Sequence, residues 1–155
     1  MLVLLGDTHL PRGSRRLPEP CVELLRRADA IVHTGDVATA AALRELEAYA
    51  PVHAVHGNAD EPALRTTLPG RLVVELEGLR IGVVHSGGPR QGRHERLRAW
   101  FPGCDLVAYG HSHLPEVANV DGTWIVNPGS PTERRRSPAR TVAVVERAAP
   151  RLVEV

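Results

Sequence analysis

Lysine is absent: all 19 basic residues in this chain of 155 are arginine. A GC-rich coding bias would leave the same mark, so no function is read from it. Aromatic residues make up only 3%, so Leu, Val and Ala must build the core, and the chain is poor in the rings on which single-stranded nucleic acid stacks. An excess of one charge is also missing. Nineteen basic residues stand against eighteen acidic ones, which argues against a broad positive field that would hold long nucleic acid or a membrane surface. Cysteine is scarce. Cys21 and Cys104 lie far apart, in no metal or redox spacing, so they read as free thiols and any metal chemistry falls to His, Asp and Asn. No apolar run is long enough for a membrane span or a signal peptide; Met1 to Leu5 ends at Gly6-Asp7. The expected location is the cytoplasm.

What is present is an ordinary globular composition, with 43% hydrophobic and 24% charged residues. Neither a repeat nor a low-complexity tract divides the chain, so residues 1–155 are expected to form one domain of α/β class. The apolar runs Met1 to Leu5, Ala30 to Val32 and Pro51 to Val55 read as buried strands. Between them, Pro20 to Arg27 and Thr39 to Tyr49 have helical spacing, with Thr39 as N-cap. That β-α-β-α-β order predicts parallel strands whose C-terminal loops gather along one edge. Beyond it lie a hairpin (Leu72 to Leu76 and Arg80 to His85), a helix near His94 to Phe101, and a strand from Asp105 to Tyr109. The last quarter reads as an antiparallel meander of Glu116 to Val120, Thr123 to Val126, Thr141 to Glu146 and Arg151 to Val155. Pro131 to Pro138 reads as a surface loop.

Five polar clusters follow apolar runs: Gly6-Asp7-Thr8-His9, Gly35-Asp36, Gly57-Asn58-Ala59-Asp60, His85-Ser86-Gly87-Gly88 and Gly110-His111-Ser112-His113. Any one of them could simply cap a strand. Together, at one sheet edge, they bring two carboxylates, an amide and four imidazoles to one place. That mixed O/N set suits Mn, Fe, Ni or Zn rather than a thiolate-seeking metal. Seven such side chains exceed what one tetrahedral ion needs. Two ions about 3.5–4 Å apart, sharing a bridging carboxylate, would use them all and suit phosphoryl transfer by a bridging hydroxide.

The ordered series Asp-x-His, Gly-Asp, Gly-Asn, a lone His and Gly-His-x-His resembles the calcineurin-like metallophosphoesterases over almost the whole chain. Asn127-Pro128-Gly129-Ser130 adds a resemblance to their small bacterial and archaeal phosphodiesterase branch. The resemblance implies a four-layer αββα sandwich of two mixed β-sheets flanked by helices, with the metals on loops at the strand C-termini. It further implies that Asp7, His9 and His113 hold one ion, that Asn58, His85 and His111 hold the other, and that Asp36 bridges them. Mn is the first expectation among the metals, and a homodimer is in keeping with the small relatives. The expected substrate is a small phosphoester.

Two positions depart from the pattern. Ala59 stands where many larger relatives have a His thought to protonate the leaving oxygen, and Ser86-Gly87 replaces a Gly-His. These departures keep two rivals open, a metal-binding interaction scaffold of the same fold and a nuclease or cyclic-nucleotide phosphodiesterase. Among the remaining side chains, His56 is a candidate acid or substrate contact and Arg135 a candidate phosphate clamp, each weighed against a structural or solvated role. His33 reads as hydrogen-bonded support, His53 as packing on a strand and His94 as exposed.

Overall fold

The computed structural model describes residues 1–11 and 15–155. Near the N-terminus, β1 (Leu2–Leu5) is buried at every position, and alternate side chains serve different cores. Leu2 and Leu4 point between two sheets, while Val3 and Leu5 point toward helices. A strand covered on both faces must be apolar throughout, because each face is removed from water and each aliphatic side chain so buried contributes roughly 1.5–3 kcal/mol.

After β1 come α1 (Glu19–Leu25), β2 (Ala30–His33), α2 (Ala40–Glu47) and β3 (Val52–Ala54), with β1, β2 and β3 parallel. Thr39 is the N-cap of α2, its Oγ1 accepting from Ala42 N at 3.2 Å. A short helix, α3 (Pro62–Thr67), follows; its Pro sits in the first turn, where no N–H is needed. The hairpin of β4 (Arg71–Leu76) and β5 (Leu79–Val84) turns through Glu77 and Gly78 alone, both at positive φ, so Leu79 already pairs with Leu76. Next come α4 (Arg93–Trp100), β6 (Leu106–Tyr109), β7 (Glu116–Val120), β8 (Thr123–Asn127), β9 (Thr141–Glu146) and β10 (Ala149–Glu154).

Two five-stranded sheets result, β10-β9-β1-β2-β3 and β4-β5-β6-β8-β7, each mixing parallel and antiparallel pairs. The meander expected at the C-terminus is not one. β7 and β8 form a hairpin in the second sheet, where β8 runs parallel to β6, and β9 and β10 form another that crosses to the first sheet. Alternating polarity marks these segments as strands but carries no information on which sheet each joins. A core including Leu4, Val32, Ile81, Val83, Leu106 and Val126 fills the space between the sheets. Outside it, α1 and α2 cover the first sheet through Cys21, Leu25, Ala42 and Leu46. On the far side, α4 covers the second through Leu97. The architecture is the four-layer αββα sandwich. Among the described residues, no helix is long and apolar enough to cross a membrane.

Candidate metal centre

Asp7 and His9 follow β1, Asp36 follows β2 and Asn58 follows β3, all at the C-terminal ends of parallel strands of the first sheet. His85 follows β5, and His111 and His113 follow β6, in the second sheet. Four side chains of one sheet thus meet three of the other. Asp7, His9, Asp36, His111 and His113 all have φ between 48° and 71°, in the left-handed region. That region is costly for a residue with a Cβ and recurs where a site dictates the backbone. The glycines beside these residues leave the room they need. A Cβ on Gly57 would overlap Asp36 Oδ1, and one on Gly35, itself at φ 95°, would stand 2.8 Å from His85 Nδ1.

Hydrogen bonds fix which atom of each side chain is left over. Asp7 Oδ2 accepts from His111 N at 2.9 Å, and Asp36 Oδ1 accepts from Ala59 N at 2.7 Å. His113 Nδ1 donates to Glu133 O at 3.2 Å and His85 Nδ1 donates to Thr34 O at 2.9 Å. A carbonyl can only accept, so both rings carry their proton on Nδ1 and present a lone pair at Nε2. Acceptor then faces acceptor. His113 Nε2 lies 3.5 Å from Asp7 Oδ1, and Asp36 Oδ2 lies 3.4 Å from His85 Nε2 and 3.7 Å from His9 Nε2. His85 Nε2 is also 3.0 Å from Asn58 Oδ1 and 3.2 Å from His111 Nδ1. Among the described residues, Asp7 Oδ1, His9 Nε2 and His113 Nε2 are buried without a hydrogen-bond partner. Such atoms cost free energy unless a cation meets them. Ligand atoms of Asp7, His9 and His113, and again of Asp7, Asp36 and His85, all lie within 4.8 Å of one another. The donor set fits divalent ions.

Burial sets the protonation that such ligands require. It holds the His113 imidazole down to about 4 and lowers His9 and His85, so all three are neutral near pH 7. Burial, and then the nearby charge of Asp36, raise Asp7 well above 3.8. His111 and Asn58 are the exposed members, which puts the solvent side of the cluster at their loops.

Several further residues support the cluster. Asp60, buried within the Gly57-to-Asp60 cluster, accepts from Asp36 N (3.1 Å), Gly57 N (2.7 Å) and Ala38 N (2.7 Å). It joins the Asp36 and Asn58 loops. Thr132 Oγ1 donates to Thr8 O and Ser130 Oγ to Asp7 O, each at 2.8 Å, so the Pro131-to-Pro138 segment, expected as a surface loop, begins with the buried Pro131 and Thr132 and is exposed at residues 134–136. Asn127 donates to Gly110 O at 3.2 Å, bracing the His111 loop. The Asn-Pro-Gly-Ser segment marked Asn127 and Ser130 in the sequence; Thr132 carried no such mark. His33 behaves as read: Nδ1 accepts from Gly35 N at 3.1 Å, so Nε2 carries the proton toward Thr8 Oγ1, also 3.1 Å away.

His56 and Arg135 stand apart from the ligands. The His56 ring packs near Gly70, with Nδ1 3.4 Å from Gly57 O. Arg135 is half exposed, its Nε 3.4 Å from Glu133 Oε2. Burial dominates the titration of Asp7, His9 and His113, and the Arg135 charge contributes to all three. His94, expected to be exposed, is half-buried and bonded to Glu116 Oε1 at 2.9 Å.

Residues 1–149 match the calcineurin-like phosphoesterase superfamily domain. The chain belongs to this superfamily. A relative from Methanothermobacter thermautotrophicus, named "Probable metallophosphoesterase", is 34% identical over 137 residues, covering 87% of this chain and 79% of its own. The superfamily fold is shared with zinc-complexed wild-type Vps29 from Entamoeba histolytica, at a TM-score of 0.75 and 22% identity over 99% of this chain and 97% of that one. A protein described as a novel archaeal phosphodiesterase superposes with a TM-score of 0.70 at 18% identity, over 99% of both chains.

Proposed function

We propose that this chain hydrolyses small phosphoesters, diesters in preference to monoesters, with two divalent ions held by the seven side chains of the cluster. Asp7, His9 and His113 would hold one ion and Asn58, His85 and His111 the other, with Asp36 shared between them. The observation that carries the reading is the set of buried acceptor atoms facing one another with no proton between them, inside a chain of this superfamily. When bound, such ions acidify a water to hydroxide at neutral pH and screen the charge of a phosphoryl group positioned for in-line attack.

The chain's own residues do the rest. Thr34 O and Glu133 O hold the His85 and His113 rings in the tautomer that points a lone pair inward. Ala59 N fixes Asp36 by its outer oxygen. Arg135 offers a fork of donors to a non-bridging phosphoryl oxygen. Ala59 itself gives no proton to the leaving group, so esters with acidic leaving groups are the better substrates.

The test is turnover of bis-p-nitrophenyl phosphate and p-nitrophenyl phosphate by metal-stripped protein supplied with Mn, Ni, Fe or Zn. Turnover restored by metal and abolished in Asp36→Asn is the expected result. Protein that binds two ions and turns over neither ester would instead favour the scaffold reading.

A further inference from the structure

The outer strands of the two sheets are unequal. β3 has three residues, and β7 and β10 lie close to each other, but β4 has six and among the described residues no strand pairs beyond it. An open strand of that length, free of proline and of bulges, is a template for another strand. Its register with β5 is unbroken from Arg71 opposite Val84 to Leu76 opposite Leu79. Along such a ladder, pairs that exchange hydrogen bonds alternate with pairs that do not. Arg80, opposite Glu75, donates from N to Asp105 Oδ2 at 2.8 Å and accepts at O from Asp105 N at 2.9 Å, both on the side of β6. Glu75 and Arg80 are therefore a pair without mutual backbone bonds. By the same alternation, Arg71, Val73 and Glu75 all turn their N–H and C=O groups out of the open edge.

These three residues also share one side-chain face, and all are exposed, Val73 at 44%. A second β4 laid antiparallel, Val73 against Val73, sets Arg71 opposite Glu75 at both ends and lets each of the three pairs exchange two backbone hydrogen bonds. A shift of two residues sets Val73 opposite a charge and loses one of the pairs; a shift of one sets outward groups against none. Present contacts leave the two charges available. The Arg71 guanidinium lies over the Trp100 ring, 4.0 Å from its centroid, and a stacked guanidinium keeps its N–H groups in its own plane. Glu75 is 78% exposed and stands 3.8 Å from Arg80. On the other face, Leu72 and Val74, packed against the core between the sheets, come opposite Val74 and Leu72 of the second copy.

We propose that β4 is the surface through which this chain pairs with a second copy of itself, antiparallel about Val73, so that their second sheets run on as one. The contact is isologous, and a single strand pair lies at the small end of specific interfaces, which places the affinity in the micromolar range. Sedimentation equilibrium of the full chain should show a monomer passing to a dimer as concentration rises. Arg71→Glu and Glu75→Arg each put like charges opposite each other at both ends, so each alone should weaken self-association by roughly tenfold or more. Mixed in equal amounts, the two variants again set opposite charges together and should associate within about threefold of the unaltered chain. Amide exchange at Arg71, Val73 and Glu75 should slow with concentration, while that at Leu72 and Val74, already bonded to β5, changes little. A chain that stays monomeric overturns the proposal, as does a dimer that neither variant weakens. Weakened single variants whose mixture stays monomeric would overturn the register about Val73.

Discussion

Asp60 holds three backbone N–H groups on one buried carboxylate, and two of them belong to residues whose placement decides where Asp36 points. Asp60→Ala leaves all three donors without the partner they have now. With each worth about 1 kcal/mol or more, the loss should be ~3 kcal/mol and the melting temperature should fall by roughly 6–12 °C, as calorimetry would show. Ala59 permits a test in the opposite direction. If no side chain protonates the leaving oxygen, the rate should fall steeply from nitrophenyl to alkyl esters, and Ala59→His should raise the alkyl rates by roughly 10²-fold while changing nitrophenyl turnover little. Equal rates across the leaving-group series in the unaltered chain would mean that another acid is at work, and His56→Ala would then be the variant to measure. The seven side chains that meet in the cluster were legible because each stands in a polar stretch that follows an apolar run. Asp60 was not: it occupies the same motif, and only the fold shows that it faces the backbone rather than the ion cluster.

At the scale of elements, the three hairpin turns differ in chemistry. Glu77-Gly78 and Asp121-Gly122 place glycine at the second left-handed position, but Arg147 and Ala148, between β9 and β10, adopt φ of 51° and 63° with ordinary side chains. Arg147→Asn with Ala148→Gly should therefore stabilise the protein, by ~1 kcal/mol per relieved residue, measurable as a higher urea midpoint with unchanged slope. Strand and helix positions followed from periodicity, and the Thr39 cap from its residue type. The six-residue α3 escaped because it is too short to show a period and its start is marked only by Pro62. The partnering of the last four strands escaped for a different reason: a hairpin is a local property, but the sheet it joins is decided by contacts with β1 and β6, far away in sequence.

Over the whole molecule, ion binding and protonation compete for the same atoms. Asp7, held above 3.8 by burial and by Asp36, takes up a proton more readily in the metal-free protein than an exposed carboxylate does. Acid should therefore displace the ions, and the gain in melting temperature produced by metal should shrink as the pH is lowered from 7 to 5. His33, held to about 4 by complete burial, adds a term that persists with or without metal. Its folded-state value lies below the unfolded one of about 6.5, so its contribution is full above that pH and is lost on going down toward 4. The loss is ~3 kcal/mol by linkage. His33→Gln should flatten the acid limb of the stability curve measured on metal-free protein. A curve unchanged by that substitution would count against a neutral buried His33.

Because four side chains of the cluster hang from one sheet and three from the other, the aliphatic layer between the sheets sets the spacing of the cluster, much as the frame of a caliper sets its jaws. Trimming that layer at Val83 or Ile81, neither of which is a ligand, lets one sheet settle toward the other. Its effect should be read in which ion the protein prefers as much as in how stable it is. Selectivity among Mn, Ni and Zn would then be written partly in valines and leucines that touch no metal.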